Sequence, residues 1–314
     1  GNRNNKYKAR IKILVRAWTP EVFAERVETE WLHLKEGPAT LNGHEIERVK
    51  GFFTQPDYKA VDGDGVSAEL QALATEHKGF SRWLDRNVKT QKQTGYACVT
   101  LSLKPAGVAP GDVTDQQLET IADLADRFSF GEIRTTHNQN IVLTDVLQSE
   151  LFNLWQLAKA AGLATPNIGT INDMICCPGG DYCSLANAKS IPVAEAIQRK
   201  FDDLDYVYDL GDLELNISGC MNACGHHHIG HIGILGVDKK GEEWYQIQLG
   251  GSADKNAALG KVLGPSLSRD AVVDSIETLL DVYVENRLEQ ETFLKTYQRI
   301  GLEKFKERVY APAS

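Results

Sequence analysis

The sequence predicts an α+β protein, with a ferredoxin-like layer in its middle and a further set of helices and strands after it. Three observations carry this expectation. Between residues 95 and 162 a strand pattern, a helix pattern, a strand pair and a second helix pattern follow one another, the order of a small ferredoxin-like layer. After residue 190, helical stripes again alternate with short strand runs. Finally, a helical stretch near the start, RAWTPEVFAERVE at 16–28, resembles RIGLEKFKERVY at 299–310, with one extra residue in the first copy. This last feature reads either as two amphipathic helices that look alike or as the closing piece of a duplicated unit.

In chain order, residues 7–31 carry Ile11, Leu14, Val15, Trp18, Val22 and Phe23 on an approximate helical stripe that Pro20 divides in two. Residues 36–80 read as mixed and loop-rich, with a strand within GHEIERVKGFF and a turn at VDGDG. YACVTLSL, from Tyr96, alternates as a strand does. Thr114 and Gln117 have capping-box spacing ahead of the stripe Leu118, Ile121, Leu124, Ala125 and Phe128. EIRTT and NIVLTDV flank HNQN (137–140) as a strand pair, and a helix over 149–161 ends at Gly162. A helix is expected over 190–201, with Pro192 in its first turn. LELNIS, HIGILGV and EWYQIQLGG read as strands, the last two joined by a DKKGE turn. Over 268–286, Val272, Ile276, Leu279, Leu280 and Tyr283 line one side of an amphipathic helix. The end is helical again.

The chain has 314 residues, 42% of them hydrophobic, and a net charge of −9. That acidity disfavours a nucleic-acid partner. No apolar run approaches the ~18 residues of a membrane span, and the polar, basic start lacks the apolar core of a signal peptide. The expectation is a cytoplasmic protein whose thiols stay reduced, where clustered cysteines point to metal or catalysis rather than disulfides.

Five of the six cysteines lie in CCPGGDYC (176–183) and SGCMNACGHHH (218–228). The pairs are Cys177-x5-Cys183 and Cys220-x3-Cys224, with 36 residues between them. Two thiolate pairs can close a tetrahedral zinc site or hold an iron–sulfur cluster. The x5 gap is wide for zinc, whose pairs are usually tighter. Glycines at 179, 180, 219 and 225 permit close backbone approach. On spacing alone iron–sulfur leads, with zinc and unliganded thiols as alternatives. Cys176 competes with Cys177, and Cys98 reads as an inert core residue. His226, His227, His228 and His231 could ligate metal, or simply shape a polar pocket.

ICCPGGDYCSLANAKS and NISGCMNACGHHHIGHIG resemble the paired cysteine signatures of the sirohaem and [4Fe–4S] sulfite and nitrite reductase hemoproteins. The likeness is strongest to the bacterial assimilatory sulfite reductase beta component, and RTTHNQNIVL extends it. The resemblance implies closing helices of an upstream repeat over 1–35, a ferredoxin-like domain over 36–165 and an α/β domain carrying cluster and sirohaem over 166–314. The chain would then be the second half of a duplicated architecture. It implies Cys177, Cys183, Cys220 and Cys224 as cluster ligands, with Cys224 bridging to the sirohaem iron. Asn138, Gln139, Asn140 and Asn222 are implied as haem-side residues, and Arg134, Lys189 and Lys261 are candidate cations for the sirohaem carboxylates. Substrate-gripping Arg and Lys are expected mainly in the upstream half. The implied activity is six-electron reduction of sulfite, with nitrite as the alternative and an iron–sulfur electron carrier without haem as a third reading. The implied electron donor is ferredoxin or a flavoprotein.

Overall fold

The computed structural model describes residues 4, 9–61 and 68–311; the expected turn at VDGDG falls mostly outside them. The chain divides into two units, Gly1–Lys59 and Ala60–Ser314. No helix among the described residues is long and apolar enough to cross a membrane.

Among its described residues the first unit holds three helices, α1 (Ile11–Trp18), α2 (Pro20–Leu34) and α3 (Gly43–Lys50), none of which contributes a buried residue. Helix α3 replaces the strand expected in GHEIERVKGFF. Its Ile46 and Val49 suggest a strand by residue type but are spaced for a helix face. The Asn42 side chain caps it by accepting the Glu45 N–H at 2.8 Å.

The second unit begins with α4 (Ala68–Glu76) and α5 (Lys78–Asn87), where the sequence reading expected loops. Then come β1 (Val88–Thr90), β2 (Tyr96–Leu101), α6 (Asp115–Phe128), β3 (Arg134–Thr135), β4 (Ile141–Leu147) and α7 (Leu151–Ala160). The four strands form an antiparallel sheet in the order β1-β2-β4-β3. Its core joins Phe80 and Trp83 to Val99, Leu101, Ile121, Leu143 and Leu154. Ile121, Leu124, Ala125 and Phe128 are buried as the helical stripe requires, whereas Leu118, one turn earlier, is 51% exposed. The capping box is complete: Gln117 N–H donates to Thr114 Oγ1 at 3.1 Å, and Thr114 N–H donates to Gln117 Oε1 at 3.0 Å. Thr114→Ala is expected to cost about 1 kcal/mol, read as a lowered urea midpoint with unchanged slope.

The second layer runs β5 (Ile175–Cys176), α8 (Gly179–Tyr182), α9 (Ile191–Lys200), α10 (Leu204–Leu210), β6 (Leu215–Ser218), β7 (Ile232–Lys239), β8 (Glu242–Leu249), β9 (Lys261–Val262), α11 (Arg269–Asn286), α12 (Phe293–Ile300) and α13 (Leu302–Val309). The sheet order is β5-β6-β7-β8-β9, parallel through β7 and antiparallel beyond it. The Lys240–Gly241 turn joins β7 to β8, both residues having positive φ (58° and 85°), as a type I′ hairpin needs. All five stripe residues of α11 are buried against this sheet's core. The architecture is mixed α and β, as the sequence predicts.

The repeat has a structural counterpart. Helices α1 and α12 each span 8 residues and end at one residue of positive φ, Thr19 (φ 76°, ψ 156°) and Gly301 (φ 82°, ψ 169°). Each of these residues donates its N–H to the carbonyl four residues back, Val15 or Tyr297. Aligned on this hinge, Glu21, Phe23, Glu25, Arg26 and Val27 fall on Glu303, Phe305, Glu307, Arg308 and Val309. The extra residue of the sequence alignment is therefore not an insertion at the hinge.

Candidate functional site

The two cysteine loops leave the carboxyl ends of β5 and β6, which lie side by side in parallel register with Cys176 opposite Ile217. Ligands in open α/β sheets gather at such strand ends. The Cys177 N–H continues the ladder by donating to the Ile217 carbonyl at 3.1 Å. One residue past β6, the Gly219 N–H donates to Cys177 Sγ at 3.1 Å, and Ser190 Oγ lies 3.4 Å from the same sulfur. The Asn187 and Ala188 N–H groups donate to the Gly219 carbonyl at 2.8 and 3.1 Å, tying the first loop to the second. This contact needs glycine. A Cβ at Gly219 would stand 2.6 Å from the Ala188 carbonyl oxygen and 2.9 Å from Gly179 Cα.

Cys177 and Cys220 are buried, Cys183 is half-buried and Cys224 is exposed. The second loop closes through tight turns, with Ala223 and His226 at positive φ. All six cysteines are free. Among the described residues no three His, Cys, Asp or Glu side chains form a group that could hold a metal ion. Two adjoining loops with an amide donated to a sulfur and no side chain at the contact suit a bulkier inorganic group. The donor set therefore fits a [4Fe–4S] cluster.

Between Cys176 and its neighbour the structure distinguishes roles. Cys176 is 3% exposed and sits in the second sheet's core, where its thiol contacts the Cys177 carbonyl. Burial, then the neighbouring Cys177, pushes its pKa well up, which opposes thiolate ligation. Cys98 lies in β2, and burial raises its thiol pKa too.

HNQN turns between β3 and β4. The Gln139 side chain accepts the Cys176 N–H and donates to the Cys176 carbonyl, each at 2.8 Å. Asn140 accepts from the Leu103 N–H at 3.1 Å and donates to Asp173 Oδ1 at 2.8 Å. Both amides are thus committed to protein partners. Asn138 alone of the three lines a cavity of about 370 Å³, together with His137, Asp173, Glu214, Asn216 and His226. Burial, then Asp254 and Asp173, raises the Glu214 pKa. Asn222 is exposed on the second loop.

Lys104, which the sequence reading passed over, is the buried cation nearest this region. Its ammonium is fully buried and donates to Asp173 Oδ1 at 2.7 Å, to the Asp173 main-chain oxygen at 3.1 Å and to the Asn138 carbonyl. A lysine after a strand, just before Pro105, gives no local signal of burial. The candidate haem cations sit differently. Arg134 is half-exposed and pairs with Glu132 at 3.1 Å, and Lys189 pairs with Asp181 at 3.1 Å. Lys261 is exposed on edge strand β9.

Of the histidines, His231 Nδ1 accepts the Glu214 N–H at 3.2 Å and His228 Nδ1 lies 3.1 Å from Gln248 Oε1. His227 is fully buried, and neither ring nitrogen has a hydrogen-bond partner among the described residues. Burial, then His228, lowers its pKa from 6.5 to about 4. The unfolded chain therefore takes up this proton first. The contribution of His227 to stability is whole above pH 6.5 and is lost as the pH falls towards about 4. The urea midpoint should drop between pH 7 and pH 5, and His227→Phe should flatten that drop. Equal slopes in parent and variant would contradict it.

Comparison with known proteins gives a consistent picture. The family model described as the nitrite and sulphite reductase 4Fe-4S domain matches residues 169–314. The nitrite/sulfite reductase ferredoxin-like half domain matches 89–161. A sulfite reductase (ferredoxin) 2 of Mycolicibacterium paratuberculosis is 27% identical over 95% of this chain and 48% of its own length. An assimilatory ferredoxin-dependent nitrite reductase of Haloferax mediterranei is 25% identical over 96% and 47%. The structure of the Mycobacterium tuberculosis NirA protein superposes with a TM-score of 0.64 at 24% identity, covering 97% of this chain and 50% of that one. The chain spans about half the length of the curated relatives it matches.

Proposed function

The chain belongs to the nitrite and sulfite reductase family, and from that membership we propose that it supplies the cluster-bearing part of a sulfite reductase. The family implies a [4Fe–4S] cluster and sirohaem. The observation that carries the proposal is the junction of the two cysteine-bearing loops at the ends of adjacent parallel strands, made through Gly219 and the Cys177 sulfur.

Cys177, Cys183, Cys220 and Cys224 would hold the cluster, and Cys224, the most open of them, is the one proposed to bridge to the haem. Asn222 and Asn138 are proposed on the haem side. When bound, the cluster would supply one-electron storage and the sirohaem a redox-active iron for an oxyanion substrate. This chain's residues supply the rest. Gly219 N–H donates to the Cys177 sulfur and Ser190 Oγ lies beside it, so the sulfur's position is fixed from the second loop and from the start of α9. The glycines at the contact let the two backbones approach more closely than any side chain would permit. Ferredoxin is the donor we propose, since the relatives' names carry it. Six free thiols suit a reducing compartment such as the cytoplasm. We further propose that α1–α2 and α12–α13 are corresponding pieces of a repeated unit, on the strength of their shared hinge.

The test supplies this chain, reconstituted anaerobically with iron, sulfide and sirohaem, with reduced viologen. Sulfide formed from sulfite supports the proposal. Ammonium from nitrite without sulfide from sulfite transfers it to the nitrite reading, which the Haloferax relative's name favours. An intact cluster on a chain that takes up no sirohaem favours an electron carrier.

A further inference from the structure

Gln139 is held in the left-handed region of the backbone, at φ 58°. A residue with a side chain avoids that region unless its surroundings impose it. Here the partner is Cys176. One amide accepts the Cys176 N–H and donates to the Cys176 carbonyl, both at 2.8 Å. These are the two bonds that a neighbouring strand would make to residue 176. Among the described residues strand β5 has a strand partner on its β6 side alone, and the Gln139 amide closes the other edge.

The rest of the turn fixes Gln139 in place. Its own N–H donates to the Thr136 carbonyl at 3.2 Å. The carbonyl of Asn138 is held by Lys104, and both amide atoms of Asn140 are bonded. Gly111 lies against it, where a Cβ would stand 3.0 Å from Gln139 Cβ. The first cysteine loop is therefore held from two directions. On one side the Cys177 N–H meets the Ile217 carbonyl. On the other, Gln139 holds the residue immediately before Cys177.

We infer that Gln139 is a positioning residue for the first cysteine loop: it stands in for a missing strand on the free edge of β5 and so fixes where Cys177 presents its sulfur. The inference rests on the reading of Cys177 as a cluster ligand and deepens it. It gives this residue a role other than direct contact with a haem, because both polar atoms of its side chain are already engaged.

The experiment compares the parent chain with Gln139→Met, which keeps the length and loses both bonds, and Gln139→Glu, which keeps an acceptor for the Cys176 N–H. The first readout is hydrogen exchange at the Cys176 amide of the iron-free protein. Exchange should quicken roughly tenfold in Gln139→Met and stay near the parent rate in Gln139→Glu. Amides of β6 and β7 should keep their parent rates in both, which shows that the fold is retained. The second readout is loss of iron to a chelator from the reconstituted protein under anaerobic conditions. It should be roughly tenfold faster in Gln139→Met, in step with the exchange. An unchanged Cys176 exchange rate in Gln139→Met overturns the inference without reference to any cluster. Faster exchange with unchanged iron loss overturns the link to the cluster. A parent chain that takes up no iron overturns the proposed function, and with it the positioning role, while the exchange rates still report whether Gln139 holds β5.

Discussion

Lys104→Met should destabilise the protein by about 3–5 kcal/mol, the usual cost of removing one partner from a buried ion pair. The side chains of Lys104 and Asp173 are 0% and 4% exposed. Removing the ammonium leaves Asp173 with the Asn140 amide and the Gly169 N–H, and no cation. It also strips the Asn138 carbonyl of its donor. Urea unfolding measures the loss. The double variant Lys104→Met/Asp173→Leu separates causes: recovery of much of the stability would place the cost in the unpaired carboxylate. A single variant within 1 kcal/mol of the parent would contradict the burial argument.

Gly225→Ala should be comparably severe, for a steric reason. The added Cβ would lie 1.9 Å from the Ile217 carbonyl oxygen and 2.7 Å from its carbon. That carbonyl belongs to β6 and accepts the Cys177 N–H, so relief of the clash must move both cysteine loops. Backbone cannot yield as a flexible side chain does, and a cost of about 3 kcal/mol or more is expected, at the upper end of overpacking. Gly43→Ala is the matching control. Nothing lies within 4 Å of a Cβ there, and it opens helix α3, so it should be neutral or slightly stabilising. Equal midpoints for the two variants would refute the packing argument.

What could be read in the sequence is what is written locally. The Thr114–Gln117 capping box needs residues three apart, and the α11 stripe from Val272 to Tyr283 repeats over about three turns. Both are found as expected, as is the hairpin at Lys240–Gly241. Strand β5 is only two residues long, too short to show alternation, and it exists because β6 and Gln139 hold it. Helix α10, with Asp203 as its cap, was missed because its 7 residues carry only two buried positions. In α3, β-type residues misled the reading although their spacing and the Asn42 cap were helical. The site divides in the same way. Cysteine spacing brought the four thiols to notice, but the amide of Gln139 reaches Cys176 across 37 positions of chain. No local pattern records that bond, and none records the burial of Lys104.

The most direct test of the central claim is iron and acid-labile sulfide, quantified after anaerobic reconstitution of the parent chain and of six single cysteine-to-alanine variants. The account expects about four irons and four sulfides per chain for the parent. It expects the same for Cys98→Ala and Cys176→Ala. For variants at Cys177, Cys183, Cys220 and Cys224 it expects loss of most of both. Full retention in any of those four, or one zinc per chain without sulfide in the parent, would contradict it.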